Sequence, residues 1–154
     1  MSGKLTTAIL LAILTALITI DSFAQTARGS VSGAEVTGTF RMPFRGKYKG
    51  SFNEIRILAL GKGKLRIAFE LTYPYTMSDG GLMANTGEAD GTAEISGDTA
   101  AYTPAEGGCR ITIKFVKPGT IRVTQEEGDG SCGFGLNVTA DGTYKKVSGA
   151  RPKF

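Results

Sequence analysis

The feature that most constrains this chain is an alternation of apolar and polar side chains with a period of two residues. It recurs in the runs 54–57, 64–71 and 109–116. Successive side chains of a β-strand point to opposite faces, so this spacing is typical of strands with one face on a core and the other in water. After residue 24, no window keeps helical spacing long enough to compete. The alternation therefore predicts an all-β fold.

Glycine and proline divide the pattern into short segments. Turn signals at 61–63, at Pro118-Gly119 and at Asp141-Gly142 separate alternating runs, as hairpins require. Further strand candidates are 36–42, 47–52, 89–95, 100–103 and 143–147. We expect eight to ten strands forming a small antiparallel up-and-down β-barrel over residues 35–148, because closure leaves no exposed edge. A β-sandwich is the alternative, and residues 149–154 form a C-terminal tail.

The N-terminus has the organisation of an export signal. Lys4 is followed by an uncharged, mostly apolar stretch at 5–20, and small residues at Ser22 and Ala24 precede Gln25 as at a cleavage site. We interpret residues 1–24 as a signal peptide and 25–34 as a flexible mature N-terminus. A short membrane helix is the competing interpretation, so membrane contact is expected only through an uncleaved signal. The protein is therefore expected to be exported, either periplasmic or extracellular.

Export changes how the two cysteines are interpreted. Cys109 falls on the apolar face of the run 109–116, and Cys132 is in step with apolar residues across 132–140, which we interpret as a further strand. An up-down-up path brings the starts of these two strands to the same end of the sheet. In an oxidising compartment this arrangement predicts a disulfide between Cys109 and Cys132, with two buried free thiols as the alternative.

Histidine is absent from the chain of 154 residues. Imidazole is the commonest general base and metal ligand, and a serine or cysteine nucleophile in the glycine-rich segment 128–134 would need such a base. We therefore expect no catalytic residue, no metal site and no cofactor. Thirteen Asp and Glu residues follow residue 24, which leaves a carboxylate-dependent hydrolase open as an alternative.

A long interruption of the alternation falls between residues 73 and 87. Glycine and proline break the pattern there, and long loops in compact domains are usually functional or disordered. We expect a binding loop over one end of the barrel, with a variable surface loop as the alternative. Its candidate contact residues are Tyr73, Tyr75, Met77 and Met83.

Charge is segregated along the chain. Between residues 41 and 66 there are eight basic residues and one acidic residue, whereas residues 67–109 contain seven acids and no base. Arg41, Arg45, Lys47 and Lys49 share odd numbers, so an extended chain would place them on one face. This stripe predicts an anionic partner, with a merely solvated strand face as the alternative. Nucleic acid is not expected, because the interleaved aromatic residues would face the core.

The C-terminal half resembles uncharacterised small exported bacterial β-proteins. The resemblance covers residues 85–154 and is carried by the segment Cys-Gly-Phe-Gly-Leu-Asn-Val-Thr-Ala-Asp-Gly-Thr-Tyr at 132–144, together with 97–100 and 109–112. These motifs consist of turn glycines, the cysteines and a final tyrosine, so the resemblance implies a shared structure and assigns no catalytic residue.

These features predict an exported, monomeric, non-enzymatic binding or inhibitor module. The expected partner is an envelope protein, an anionic glycan or a small apolar ligand. The alternatives are a structural protein of the cell envelope and the hydrolase without histidine.

Overall fold

The computed structural model describes residues 29–105, 108–126 and 132–154, and the predicted signal peptide lies outside these residues. Eight strands form a closed antiparallel barrel in sequence order, which confirms the predicted small β-barrel. The strands are β1 (Gly38–Pro43), β2 (Phe52–Gly61), β3 (Lys64–Thr76), β4 (Leu82–Ser96), β5 (Thr99–Tyr102), β6 (Arg110–Lys117), β7 (Thr120–Glu126) and β8 (Gly142–Ser148). A short helix, α1 (Gly33–Val36), precedes β1. In the described part of the chain, no helix has the length and apolar character needed to cross a membrane.

The interior of the barrel is filled by side chains. Phe40 packs edge-on against Phe115 with ring centroids 6.4 Å apart, and Phe69 lies 5.3 Å from Tyr102. An eight-stranded barrel is just wide enough for its interior to be filled in this way. The largest fully buried side chains are Phe40, Ile55, Ile57, Leu65, Ile67, Phe69, Leu71, Ile111, Ile113, Phe115, Ile121 and Tyr144.

The barrel closes where β8 pairs with β1. Thr39 lies opposite Ser148 and Phe40 opposite Lys146, and the register shifts between these two pairs. Gly38 enters this pairing with φ of 149°, and a Cβ atom there would collide with the backbone carbonyl of Ser148. Since that neighbour is backbone and cannot rotate away, the closing pair requires glycine at this position.

Lys146 connects the closing strand to α1. Its Nζ donates to the backbone carbonyls of Ala34 (3.1 Å), Glu35 (2.6 Å) and Thr37 (2.9 Å). These acceptors match the three N–H groups of an ammonium ion. Burial lowers the pKa of Lys146, and the nearby charge of Glu35 acts in the opposite direction. We call this the helix end of the barrel, and it also carries the tight turns that follow β2, β4 and β6.

The other end, which we call the hairpin end, is covered by an irregular segment at residues 132–141. The prediction of a strand at 132–140 is wrong, because the backbone turns at Asn137 (φ 62°) and Leu136 is 73% exposed. The predicted disulfide is confirmed, with Cys109 and Cys132 linked and their Cα atoms 5.0 Å apart. The segment reaches the core through Phe134, which stays buried.

Hydrogen bonds attach this end segment to the strands on either side of the opening. Towards β4, Gly135 N donates to the Thr86 carbonyl at 3.1 Å. Towards β7, Ala140 N donates to Gln125 Oε1 at 3.0 Å. The Tyr144 hydroxyl donates to the Ala140 carbonyl at 3.0 Å, and burial raises the pKa of this phenol. The end segment therefore bridges the hairpin end from β4 to β7.

The strand predicted at 47–52 is also wrong. The chain bends after Pro43, forms a 3₁₀ turn at Gly46–Tyr48, and starts β2 only at Phe52. Glycine at residue 50 has φ of 109°, so extended structure cannot run through this segment. The predicted strand at 36–42 begins at Gly38, because α1 occupies 33–36.

The closing pair can be tested by adding one methyl group. We expect Gly38→Ala to lower the free energy of unfolding by about 3 kcal/mol, since the new Cβ combines a backbone collision with an unfavourable φ. Gly61→Ala is the matched control, because Gly61 also has positive φ but has open space around its Cβ direction; it should lose about 1 kcal/mol. Urea unfolding measures both, and equal losses would contradict the role of the closing pair.

The disulfide has its own test. In the chain-entropy model a crosslink spanning 23 residues of sequence contributes about 3 kcal/mol, so the double variant Cys109→Ser/Cys132→Ser should lose about that much stability. Dithiothreitol should destabilise the unmodified protein equally and leave the double variant unaffected. Alkylation of the unfolded, unreduced protein should label neither cysteine; labelling of both would contradict the bond.

Candidate functional site

The hairpin formed by β3 and β4 is the longest element at the hairpin end. Pairing of β2 with β3 stops at Glu54 opposite Glu70, whereas β3 and β4 remain paired as far as Thr76 opposite Leu82. On its other side, β4 pairs with β5 only over residues 94–96. The prediction of an irregular loop at 73–87 is therefore wrong: both strands continue past their neighbours and are joined by the turn 77–81.

Pro74 does not break this hairpin, because its missing N–H lies on the strand edge that faces away from β4. Thr72, two residues earlier and in the same orientation, donates its N–H away from β4 to Asn53 Oδ1 at 2.8 Å. Proline is tolerated in a strand at such an edge position. The proline that suggested a loop thus sits where a strand can accept it.

The four predicted contact residues lie in the projecting part of this hairpin. Tyr73 and Tyr75 are opposite Asn85 and Met83, and Met77 lies in the turn. Tyr73 and Tyr75 continue the odd-numbered series that faces the barrel interior further along β3. These residues lie beyond the end of the barrel, where no core covers them. Tyr73 is therefore 41% exposed, and Met83, opposite Tyr75 on β4, is 50% exposed.

Leu82 extends this apolar surface to the other face of the hairpin. It pairs with Thr76 and is 60% exposed. We call Tyr73, Tyr75, Met77, Leu82 and Met83 the apolar tip. Leu136 of the end segment adjoins it, because the side-chain amide of Asn85 donates to the Leu136 carbonyl at 2.7 Å. Exposed and partly exposed apolar side chains are thus concentrated at the end of one hairpin.

The connection between β1 and β2, residues 44–51, packs against the outer face of the same hairpin; we call it the basic loop. Lys47 Nζ donates to Thr76 Oγ1 and lies 5.1 Å from the ring centroid of Tyr48. The Tyr48 hydroxyl is 3.2 Å from Thr76 Oγ1. This hydrogen bond, helped by the charge of Lys47, lowers the pKa of the Tyr48 phenol. The basic loop is thus held on the hairpin by side-chain contacts.

A groove of about 420 Å³ lies between the basic loop and the hairpin. Lys47 and Lys49 line one side, and Pro74, Leu82 and Met83 line the other. Two lysines and exposed aliphatic side chains therefore line one depression.

The four predicted cationic residues lie in two different places in the structure. Arg41 lies on β1, where its Nε contacts Glu54 Oε2 at 2.7 Å and its guanidinium lies 3.9 Å from the ring centroid of Phe52. Arg45, Lys47 and Lys49 lie in the basic loop, beyond the bend. Among the described residues, the ion pairs that the structure records involve none of these three. Arg41 is neutralised locally, while Arg45, Lys47 and Lys49 form no ion pair within the part of the chain that the structure describes.

Sequence reasoning missed Leu82, Tyr48 and Thr76 as parts of this surface. The contact between Lys47 and Thr76 joins residues 29 positions apart, so only the strand register reveals it. Leu82 could have been found by continuing the alternation of β4 back towards the turn. That signal was hidden by the glycines at 80 and 81.

Acidic side chains form a row on the outer face of the barrel, next to this groove, because Glu70 is two residues from Thr72, which lines the groove. Glu54, Glu70 and Glu88 lie side by side on β2, β3 and β4. Arg41 pairs with the first and Arg56 with the second. Within residues 29–105, 108–126 and 132–154, no group of three or more His, Cys, Asp or Glu side chains is arranged to hold a metal ion.

Comparison with known proteins found no match to any family model, to any curated protein or to any solved structure. The resemblance of residues 85–154 to small exported bacterial proteins therefore stays a prediction.

Proposed function

We propose that this protein is a non-enzymatic binding module that contacts an anionic partner through the hairpin end. The observation that carries the proposal is the groove that Lys47 and Lys49 line together with Leu82 and Met83. Lysines that form no ion pair with the described residues attract an anionic surface, and the exposed apolar side chains add contact area that leaves water on binding.

The filled interior supports placing the binding surface outside the barrel. Phe40, Phe69, Phe115 and Tyr144 are essentially inaccessible to solvent within the ring. A barrel that holds a small ligand keeps part of its interior empty, whereas this one is packed with aromatic and aliphatic side chains. Of the three expected partner classes, a small apolar ligand inside the barrel is therefore the least supported.

The disulfide fits an oxidising environment outside the cytoplasm. Together with the predicted signal peptide at residues 1–24, it supports the proposal of a periplasmic or extracellular location. In such a compartment the anionic groups of envelope components are within reach of the hairpin end.

The residue inventory supports a binding role over a hydrolytic one. The chain contains no histidine, the commonest general base, and Glu54 and Glu70 are engaged in ion pairs with Arg41 and Arg56. No observation in the described residues specifically favours a structural role in the envelope.

Retention on a sulfated polysaccharide, heparin–agarose, tests the proposed surface. We expect the variant Arg45→Ser/Lys47→Ser/Lys49→Ser to elute at clearly lower salt and to bind soluble heparin at least about tenfold more weakly, because it loses three positive charges from this surface. The matched control is Lys62→Ser/Lys64→Ser/Lys117→Ser, which removes the same charge from the helix end.

The control should change heparin affinity by less than about threefold, as expected when net charge alone is reduced. Equal weakening of the two variants would show that binding follows net charge, and it would overturn the assignment of the hairpin end. Unchanged retention of the first variant would overturn it as well.

A further inference from the structure

We propose that the anionic partner is the surface of a phospholipid bilayer, with the flank of the β3–β4 hairpin entering the headgroup region. This inference rests on the proposed function of the hairpin end and adds the identity of what is bound. It departs from the expectation that membrane contact occurs only through an uncleaved signal peptide. It follows from where the apolar and basic side chains lie on the hairpin.

Apolar side chains occupy both faces of the projecting hairpin and its turn. Tyr75 and Met83 form a pair on one face, Leu82 lies on the other, and Met77 is in the turn. The basic loop packs on the outer face at Thr76, so a partner reaches the hairpin along its exposed flank and turn. Lipid headgroups and acyl chains can adapt to apolar side chains that do not lie in one plane. The distribution therefore favours a deformable partner over a folded one.

The projecting hairpin is long enough to lie along a membrane interface on its flank. Four residue pairs extend beyond Thr72 and Thr86, which corresponds to roughly 13 Å at about 3.3 Å per residue. Peripheral elements bury their apolar face about 5–10 Å into the boundary between headgroups and acyl chains. Tyr73 and Tyr75 suit this region, because a tyrosine side chain can place its apolar ring towards the acyl chains and its polar hydroxyl towards the headgroups.

The basic loop supplies cations at the level of the hairpin flank. Lys47 contacts Thr76, the residue opposite Leu82, so an ammonium group and an exposed leucine lie on the same part of the outer face. Lysines next to apolar side chains can meet lipid phosphates while those side chains reach the acyl boundary.

The acidic residues at this end limit the orientation. Asp79 lies in the hairpin turn, where its Oδ1 accepts a hydrogen bond from Gly81 N at 2.8 Å. A carboxylate at the extreme end opposes tip-first insertion into an anionic surface, so contact through the flank is favoured. The other described acids near this end are in two places. Glu54, Glu70 and Glu88 form the row on the outer face below the groove, where Arg41 pairs with Glu54 and Arg56 with Glu70. Glu126 and Asp141 lie at the end of β7 and just before β8, on the far side of the barrel.

Vesicle sedimentation tests this inference, using the disulfide-bonded chain and vesicles of phosphatidylglycerol mixed with phosphatidylcholine. We expect binding to the mixed vesicles and about tenfold or more weaker binding to phosphatidylcholine alone. Lys47→Ser/Lys49→Ser should weaken binding by about tenfold, and so should Leu82→Ser/Met83→Ser. Asp79→Asn should strengthen it, because the substitution removes repulsion at the turn.

The matched apolar control is Leu60→Ser/Val147→Ser. Both residues are as exposed as Leu82 and Met83, at 53% and 54%, but they lie towards the helix end. This control should bind mixed vesicles within about twofold of the unmodified protein. Thermal unfolding of every variant establishes that the exposed substitutions leave the barrel folded.

The outcomes separate this inference from the proposed function. If heparin binding depends on the basic loop but mixed vesicles do not bind, the bilayer inference is overturned and an anionic glycan or protein becomes the partner. If Leu82→Ser/Met83→Ser binds vesicles as well as its control does, the hairpin does not enter the interface and the inference is also overturned. If the lysine variants bind heparin and mixed vesicles as tightly as the unmodified protein does, both proposals are overturned.

Discussion

The antiparallel pairing of β8 with β1 is the constraint on which the rest of this structure depends. Closure gives the strands hydrogen-bonded neighbours on both sides through the body of the barrel, and it commits one face of every strand to a single shared interior. The inward side chains must then fill that space together. Phe40, Phe115 and Tyr144 do so and are fully buried. Function is thereby moved to the outer surface and to the two ends.

The two ends are closed by different means. At the helix end, Lys146 draws α1 onto the barrel through three backbone carbonyls. At the hairpin end, the disulfide fixes the end segment, and that segment in turn bonds to β4 through Thr86 and Asn85. The projecting hairpin therefore starts from a base that is cross-linked and hydrogen-bonded. A binding surface held on such a base presents its side chains with little loss of conformational freedom on binding.

Much of the barrel could be predicted from the sequence, because alternation is a local property of a strand and survives into the fold. The disulfide was predictable for the same reason, although the predicted chain path was wrong. Cys132 was expected on the strand after β7, whereas it belongs to the irregular end segment and the strand after β7 is β8. Alternation alone could not show that Leu136 points to solvent. Its exposure depends on a turn at Asn137, whose positive φ is not encoded in hydrophobic spacing.

The candidate surface was less predictable, because it depends on the register between strands that are distant in sequence. Composition singled out Lys47, Lys49 and Met83 separately, as members of a stripe and of a loop. Their meeting in one groove follows from the bend after Pro43 and from the length of the β3–β4 pairing. Proline signals a break in most strands, and only the orientation of residue 74 at an edge explains why it does not break this one.

The most direct test of the account is a map of backbone amide signals by ¹H–¹⁵N NMR, recorded with and without nanodiscs that contain phosphatidylglycerol. The account predicts that signal loss is concentrated in residues 45–49 and 72–86, while amides of the helix end, including Lys62 and Lys64, retain their intensity. Signal changes centred on the helix end, or on the inward-facing core with the hairpin unaffected, would contradict it.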